Sequence, residues 1–130
     1  MLKRTVTGRP ITKKNSQQII PNKRTGRSII IPSKRFKEYQ KEFLLQTRNL
    51  KFGKPIDEPI TVTACYYMPT RHKVDITNLM SATHDLLQDA EIISDDSMKV
   101  VKSVDGTRVY YDKENPRVEI SITKYEEETQ

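Results

Sequence analysis

Three aspartates form the part of this sequence whose residue types and spacing best suit chemistry. Asp75 precedes a segment with helical periodicity, and the pair Asp95-Asp96 follows that segment directly after Ile92, Ile93 and Ser94. Carboxylate oxygens are preferred ligands of Mg²⁺, which typically binds one or two protein carboxylates together with waters and phosphate oxygens. The arrangement predicts a metal site whose carboxylates are distant in sequence and converge in the fold.

Each of these residues also has an ordinary structural interpretation. Aspartate is a favoured helix N-cap, so Asp75 on its own is more often a cap than a metal ligand. Neighbouring acids often form a solvated turn, and this interpretation applies best to Asp95. His72 and His84 have no Cys or second His at zinc spacing, so they are interpreted as a loop residue and a helix-face residue. The residues alone therefore leave both a metal site and a structural cap with a turn open.

Two amphipathic helices are predicted to position these groups. The helix after Asp75, with Asp75 or Thr77 as its N-cap, carries apolar residues at helical spacing. They are Leu79, Met80, Thr83, Leu86, Leu87 and Ala90, with Asn78, Ser81 and Asp85 on the other face. An earlier helix is predicted from Lys34 to about Arg48 after the N-cap Ser33. Its apolar side consists of Phe36, Tyr39, Phe43, Leu44 and Thr47.

The remaining periodic segments predict strands at 2–7, 18–21, 28–31, 60–68, 99–104, 107–111 and 117–123. Segment 60–68 is expected to be central in the sheet. Gly26 is expected at positive φ in a hairpin turn, and Asp105-Gly106 is a second hairpin signal. The length of 130 residues predicts that these elements form a single domain, 1–130.

Charge is distributed unevenly along the chain, whose net charge is +6. Residues 1–54 contain 15 Lys and Arg against two Glu, and residues 55–130 contain 8 against 15 acids. A basic half combined with a local acidic cluster is what a nuclease needs, because cations bind the phosphate backbone and carboxylates bind metal. The alternative is a solvated basic surface with an acidic tail.

The cations lie in segments suited to contacting a phosphate backbone. Lys34, Arg35 and Lys37 crowd the first turn of the first helix, where the helix dipole disfavours them and a partner is indicated. Each basic segment is otherwise an ordinary solvated loop or turn. The predicted DNA-binding residues on these grounds are Lys13, Lys14, Asn15, Lys23, Arg24, Arg27, Lys34, Arg35, Arg71 and Lys73.

Composition excludes several other classes of protein. The single Cys65 excludes an internal disulfide and a thiolate-only metal site, which fits a reducing compartment. No signal-peptide pattern and no apolar run of about 20 residues is present. We expect a soluble, cytoplasmic protein with no membrane partner.

These motifs resemble those of the RusA family of Holliday junction resolvases. The residues that carry the resemblance are Asp75-Ile76-Thr77-Asn78-Leu79, Asp85-Leu86-Leu87 and Ser94-Asp95-Asp96. The family pattern is approximately D-x-D-N-L-x-K-x-x-x-D-A-L followed by a D-D pair. Gly8-Arg9-Pro10, Lys14-Asn15-Ser16 and Pro32-Ser33-Lys34-Arg35-Phe36 are also similar to family members, so the likeness covers most of the chain.

The resemblance implies a small α+β fold with a mixed or antiparallel sheet and two main helices. It also implies a symmetric homodimer that nicks a four-way DNA junction in paired strands, with Mg²⁺ or Mn²⁺ as cofactor. Position by position, Asp75 and Asp96 match the catalytic, metal-binding acids. Asn78 matches the motif Asn and is expected to contact DNA. Asp85 matches the helix acid, for which both a catalytic and a structural role stay open.

Two departures from the family pattern bear on activity. Thr77 replaces the second Asp of D-x-D-N, and Ser81 replaces the helix Lys. Thr77 offers a neutral oxygen and Ser81 offers no charge, so metal affinity and phosphate stabilisation should both fall. Either Asp85, Asp95 and Lys73 compensate, or the chain binds junctions and cuts them poorly. A third alternative is a basic module that binds RNA or acidic protein.

Overall fold

The computed structural model describes residues 1–13, 17–21, 23–51 and 53–127. Within these ranges the chain forms seven β-strands, two α-helices and one short 3₁₀-helix. The strands are β1 (Leu2–Thr7), β2 (Gln17–Pro21), β3 (Ser28–Pro32), β4 (Ile60–Met68), β5 (Val101–Ser103), β6 (Arg108–Tyr111) and β7 (Arg117–Lys124). The helices are α1 (Lys34–Thr47), the 3₁₀-helix Arg48–Leu50 and α2 (Ile76–Asp89).

The main sheet has five strands and is mixed. β7 lies between β1 and β4 and is antiparallel to both. On its other edge β4 pairs with β5 and with β6, each in parallel. β4 is therefore central, as predicted, and the two helices complete a small α+β domain.

The hairpin predicted at Asp105-Gly106 is wrong, because β5 and β6 do not pair with each other. They follow one another in the same direction along one edge of β4, the first opposite Ile60 and Thr61 and the second opposite Cys65 to Met68. The turn between them sits against β4, where the Thr63 hydroxyl donates to the Asp105 carbonyl oxygen at 2.6 Å. Gly106 has φ +87°, and a Cβ there would lie 3.2 Å from Thr63 Cγ2. The Asp-Gly pair thus allows a close approach at positive φ without reversing the chain.

The core follows the strict alternation of β4, which buries every second residue. Its buried side packs with the apolar faces of the helices, including Phe36 and Phe43 of α1. From α2 the core receives Leu79, Ala82, Leu86 and Leu87. The predicted apolar sides of both helices are confirmed, except that Leu44, Met80 and Ala90 are only half-buried.

Helix α1 begins as the sequence predicts. The Ser33 hydroxyl accepts a hydrogen bond from the Phe36 N–H at 3.2 Å, so Ser33 is a true N-cap. The predicted basic hairpin is also confirmed, since β2 and β3 pair antiparallel around a turn in which Gly26 has φ +70°. In the described part of the chain no helix is long and apolar enough to cross a membrane.

Candidate active site

The start of α2 presents the Asp75 carboxylate to solvent. Asp75 occupies the N-cap position, where its carbonyl oxygen accepts from the N–H groups of Asn78 and Leu79 at 3.1 and 3.2 Å. Its side chain makes no cap hydrogen bond and instead accepts from Asn78 Nδ2 at 3.4 Å. The N-cap prediction is therefore right for the backbone. The Asp75 carboxylate, which makes no hydrogen bond to the described backbone, is available to bind a ligand such as a metal ion.

The end of α2 redirects the chain towards the acidic pair. Glu91 adopts φ +57°, its N–H donates to the Gln88 carbonyl, and the Ile92 N–H donates to the Leu87 carbonyl at 3.0 Å. These two bonds, with Leu87 and Ile92 both buried, form a Schellman motif. The helix stops there although no glycine marks its end.

The segment after Ile92 is tied to the connector that follows α1. Ile56 and Ile93 form a parallel bridge, in which the Ile56 N–H donates to the Ile92 carbonyl and the Ser94 N–H donates to the Ile56 carbonyl, both at 2.9 Å. The Ser94 hydroxyl also donates to Asp57 Oδ1 at 2.6 Å. The acidic pair therefore follows a backbone that is anchored, not a free loop.

The two acids of the pair differ in what they bind. The Asp95 carboxylate accepts from the hydroxyl and the N–H of Ser97 at 2.7 and 3.1 Å. These bonds, the hydroxyl first, hold the pKa of Asp95 below its usual range. Asp96 is exposed, and its side chain has no hydrogen-bond partner among the described residues. Asp95 thus forms a turn, as its structural interpretation expected, and Asp96 is the acid left available.

The pKa of His84, on helix α2, responds to the charges of two aspartates. Burial lowers the pKa of His84, while the charges of Asp96 and Asp85 act in the opposite direction. Both carboxylates therefore lie near the His84 imidazole. From the sequence, His84 was interpreted only as a helix-face residue, and its proximity to Asp85 and Asp96 was not predicted. The signal that could have found it is His84's position directly beside Asp85.

Asp85 forms an ion pair with Lys13, whose Nζ lies 3.2 Å from Asp85 Oδ2 and 5.5 Å above the Phe36 ring. Asp85 follows Asp75 by ten positions, which corresponds to about 15 Å along the helix axis. Because magnesium ligands lie about 2.1 Å from the ion, Asp75 and Asp85 do not share one metal. The position of Asp85 instead suits it to orient Lys13.

The predicted DNA-binding residues lie on several elements of the chain. Lys14 and Asn15 lie outside the described residues. Lys73 is exposed in the loop before α2, and Asn78 is half-buried on the first turn of the helix. The predicted DNA-binding residues of the hairpin turn and of the first turn of α1 are all exposed, namely Lys23, Arg24, Arg27, Lys34 and Arg35. The first turn of α1 contains no acid.

Arg71 is held by an aromatic ring that the sequence did not single out. Its guanidinium lies 4.5 Å from the ring centroid of Tyr111, at the exposed edge strand β6. Beside it, Tyr110 stacks on Tyr67 with centroids 5.0 Å apart, and Arg117 lies 3.7 Å from the Tyr67 ring. The sequence predicted β6 as a strand. Only its position at the edge of the sheet leaves Tyr110 and Tyr111 exposed.

The donor set suits a hard divalent cation. Asp75 and Asp96 offer exposed carboxylate oxygens, the ligand type of Mg²⁺ and Mn²⁺. Within the described ranges no group of three or more His, Cys, Asp and Glu is placed to hold a metal ion. An ion bound at either carboxylate would therefore take most of its ligands from water and substrate phosphate, which is usual for Mg²⁺.

Comparison with known proteins supplies the remaining finding. No curated protein matches the chain. The family model described as endodeoxyribonuclease RusA matches residues 5–123 of 130, a range that begins in β1 and ends in β7. It includes both helices, the loop before α2 and the acidic pair. The chain belongs to the RusA endodeoxyribonuclease family.

Proposed function

We propose that this protein is a metal-dependent, structure-specific endodeoxyribonuclease that resolves four-way (Holliday) junctions by paired phosphodiester hydrolysis, in recombination and repair. The observation that carries the proposal is the family match over residues 5–123. The Asp75 carboxylate supports the proposal because it is exposed and accepts no hydrogen bond from the backbone N–H groups of α2. A purely structural N-cap would accept such a bond with its side chain.

The proposed metal ligands are Asp75 and Asp96. Both carboxylates are exposed, and neither is neutralised by an ion pair with a described residue. A bound Mg²⁺ or Mn²⁺ would supply an activated water and stabilise charge on the leaving 3′ oxygen, which leaves a 5′ phosphate. Asn78, which donates to Asp75, orients the first of these carboxylates.

The cations around the site bind and orient DNA. Lys73 lies two residues before Asp75 and has no ion-pair partner among the described residues, so it can contact phosphate near the cut. Arg71 is pre-oriented by the Tyr111 ring, which reduces the entropy lost when it binds. Asp85 acts through Lys13, whose ammonium group it holds in an ion pair at 3.2 Å.

Dimerisation is part of the proposal because a junction with two equivalent strands is matched by a two-fold protein. Helix α2 offers apolar surface for such an interface: Ile76 is 37% exposed and Met80 is half-buried. A monomer by light scattering, without DNA, would count heavily against this interface.

A second candidate is a junction-binding protein of the same fold that cuts weakly. Thr77 and Ser81 favour it, because both are exposed on α2 and neither supplies the charge that the family pattern has at its position. Binding depends on the basic surface and would survive these two changes. Cleavage depends on metal affinity and would not.

The test is cleavage of a synthetic four-way junction in Mg²⁺ and, separately, in Mn²⁺, with binding measured in parallel. Asp75→Asn and Asp96→Asn remove charge with little change in shape, and Asp95→Asn is the matched control on the turn-forming neighbour. The nuclease predicts paired nicks that vanish in the first two variants and persist in the third, with junction binding retained in all.

The remaining outcomes separate the alternatives. Tight binding without nicks in either metal ion indicates the weakened binder, and Thr77→Asp with Ser81→Lys should then raise cleavage. A lack of preference for the junction over duplex DNA, or a preference for RNA, would refute both candidates in favour of a basic interaction module.

A further inference from the structure

A small basic cavity lies beside the loop that precedes α2. Its volume is about 150 Å³, below the roughly 300 Å³ at which sites for drug-sized ligands begin. The buried side chains of Met68 and Thr12 form part of its wall. Four exposed residues that carry or can acquire positive charge also line it, namely Arg9, Arg35, His72 and Lys73.

The described lining of this cavity contains no acidic side chain. None of its four basic residues forms an ion pair with a described acid, although Arg9 and Arg35 also line a neighbouring surface cavity with Glu38 and Glu42. Elsewhere in the described chain, cations such as Lys13 and Arg117 do have carboxylate partners. Cations that converge on one cavity repel one another, so an anion bound among them would be stabilised.

Helix α1 adds to the positive potential at the same place. Arg35 is the second residue of this 14-residue helix, whose first turn contains no acid. The positive end of a helix dipole disfavours a cation in the first turn and favours an anion. The placement of Arg35 costs stability in the isolated chain, and a bound anion would reverse that cost.

We propose that this cavity binds a backbone phosphate of the DNA next to the one that is cut. The inference rests on the proposed nuclease function for its choice of DNA as the source of the phosphate. Arg9 and Arg35 provide planar donors that match phosphate oxygens, and Lys73 provides a point charge. The cavity thereby sets the register of the strand relative to Asp75.

The position of Lys73 supports this choice of phosphate. Two residues span at most about 7 Å of chain, which bounds the distance between the Cα atoms of Lys73 and Asp75. Successive phosphates of one strand are about 3.4 Å apart along the duplex axis. A phosphate in the cavity is thus a close neighbour of one at the Asp75 carboxylate.

The first experiment tests the cavity without DNA. Inorganic phosphate is titrated into the protein at constant ionic strength, with chloride as reference, and followed by amide NMR shifts of Thr12, Thr70 and Val74. Saturable shifts are expected. Arg9→Gln with Arg35→Gln should weaken phosphate binding about tenfold or more, since each charge-assisted hydrogen bond contributes strongly.

The matched control is Arg48→Gln with Arg108→Gln, which removes the same charge from residues outside the cavity. Equal melting temperatures for the two double variants exclude misfolding as the cause of a difference. Absence of saturable shifts, or equal weakening in the control, overturns the cavity as a phosphate site.

The second experiment asks whether the phosphate belongs to DNA. Single neutral methylphosphonates are placed at positions flanking the cut in a four-way junction, and binding is measured without Mg²⁺. At one position the methylphosphonate should weaken binding of the junction to the wild-type protein several-fold. The same methylphosphonate should hardly change the binding of the junction to the double variant Arg9→Gln with Arg35→Gln. The reason is that the DNA change and the protein change remove the same interaction.

The two proposals fail separately. If the junction is bound but never cut, the nuclease proposal fails. The comparison of methylphosphonate junctions with the wild-type protein and the double variant still decides whether the cavity binds a DNA phosphate. If free phosphate binds but no methylphosphonate position couples to Arg9 and Arg35, the cavity serves free phosphate and the assignment to DNA is overturned. If nicking is normal and phosphate never binds, only the cavity inference is refuted.

Discussion

A buried pair of hydroxyl groups holds helix α2, and with it Asp75, against the sheet. The hydroxyl oxygen of Tyr66, in β4, lies 2.7 Å from the hydroxyl oxygen of Thr83, in α2, and both side chains are buried. The Thr83 hydroxyl donates to the Leu79 carbonyl at 3.0 Å, so the Tyr66 hydroxyl must be the donor to Thr83. Burial raises the pKa of Tyr66 far above its ordinary value, so this proton is retained at every working pH.

This direction of donation predicts unequal costs for the two single substitutions. Thr83→Val leaves the Tyr66 hydroxyl buried with no acceptor, and we expect a loss of about 2 kcal/mol in the free energy of unfolding. Tyr66→Phe leaves Thr83 still bonded to Leu79, and we expect a loss of about 1 kcal/mol. In the double variant no donor is stranded, so its cost should be about 1 kcal/mol, well below the sum of about 3 kcal/mol.

Urea denaturation of the four proteins measures this cycle, and thermal melting should show Thr83→Val lower than wild type by roughly 8 °C. Additive losses would refute the reasoning, because independent sites show no coupling. A larger loss in Tyr66→Phe than in Thr83→Val would refute the assigned direction of the bond.

The remaining predictions concern His84 and the first helix. In metal-free buffer, Asp96→Asn should lower the pKa of His84 further, because the Asp96 charge opposes the effect of burial. An NMR titration of the His84 imidazole checks this. In the control Asp95→Asn the pKa of His84 should stay unchanged. Because the folded chain lowers the pKa of His84, the unfolded chain binds more protons, so the free energy of unfolding should fall as pH drops below about 6.5. His84→Gln should remove that part of the pH dependence, and an unchanged profile would contradict it. Ser33→Ala should cost about 1 kcal/mol in urea denaturation because the Phe36 N–H loses its acceptor, whereas Ser33→Thr should retain most of the stability.

Local patterns were sufficient where a feature depends on neighbours in the chain. The N-cap Ser33 and the turn at Asp95 each follow from a side chain that bonds to backbone within a few residues. Asp75 takes its N-cap position through its backbone carbonyl, which accepts from the N–H groups of Asn78 and Leu79. The central strand β4 and the apolar sides of the helices follow from periodicity, because burial selects one face of an element. The family resemblance, which rests on motif spacing, is confirmed by the match over residues 5–123.

Features that depend on two distant segments were decided by the tertiary structure alone. The Asp-Gly signal at Gly106 predicted a hairpin. It could not predict that both flanking strands would pair in parallel with β4, since strand order is set by which sheet edge remains free. The Asp85 ion pair with Lys13 joins residues 72 positions apart.

The same reason applies to the cavity beside the α2 loop. Arg9, Arg35 and His72 come from three separate segments, and no local pattern relates them. Sequence determined which residue types are present and which side of each element is buried. The packing of β1, α1 and the α2 loop determined which charges meet, because that proximity is a property of the folded chain.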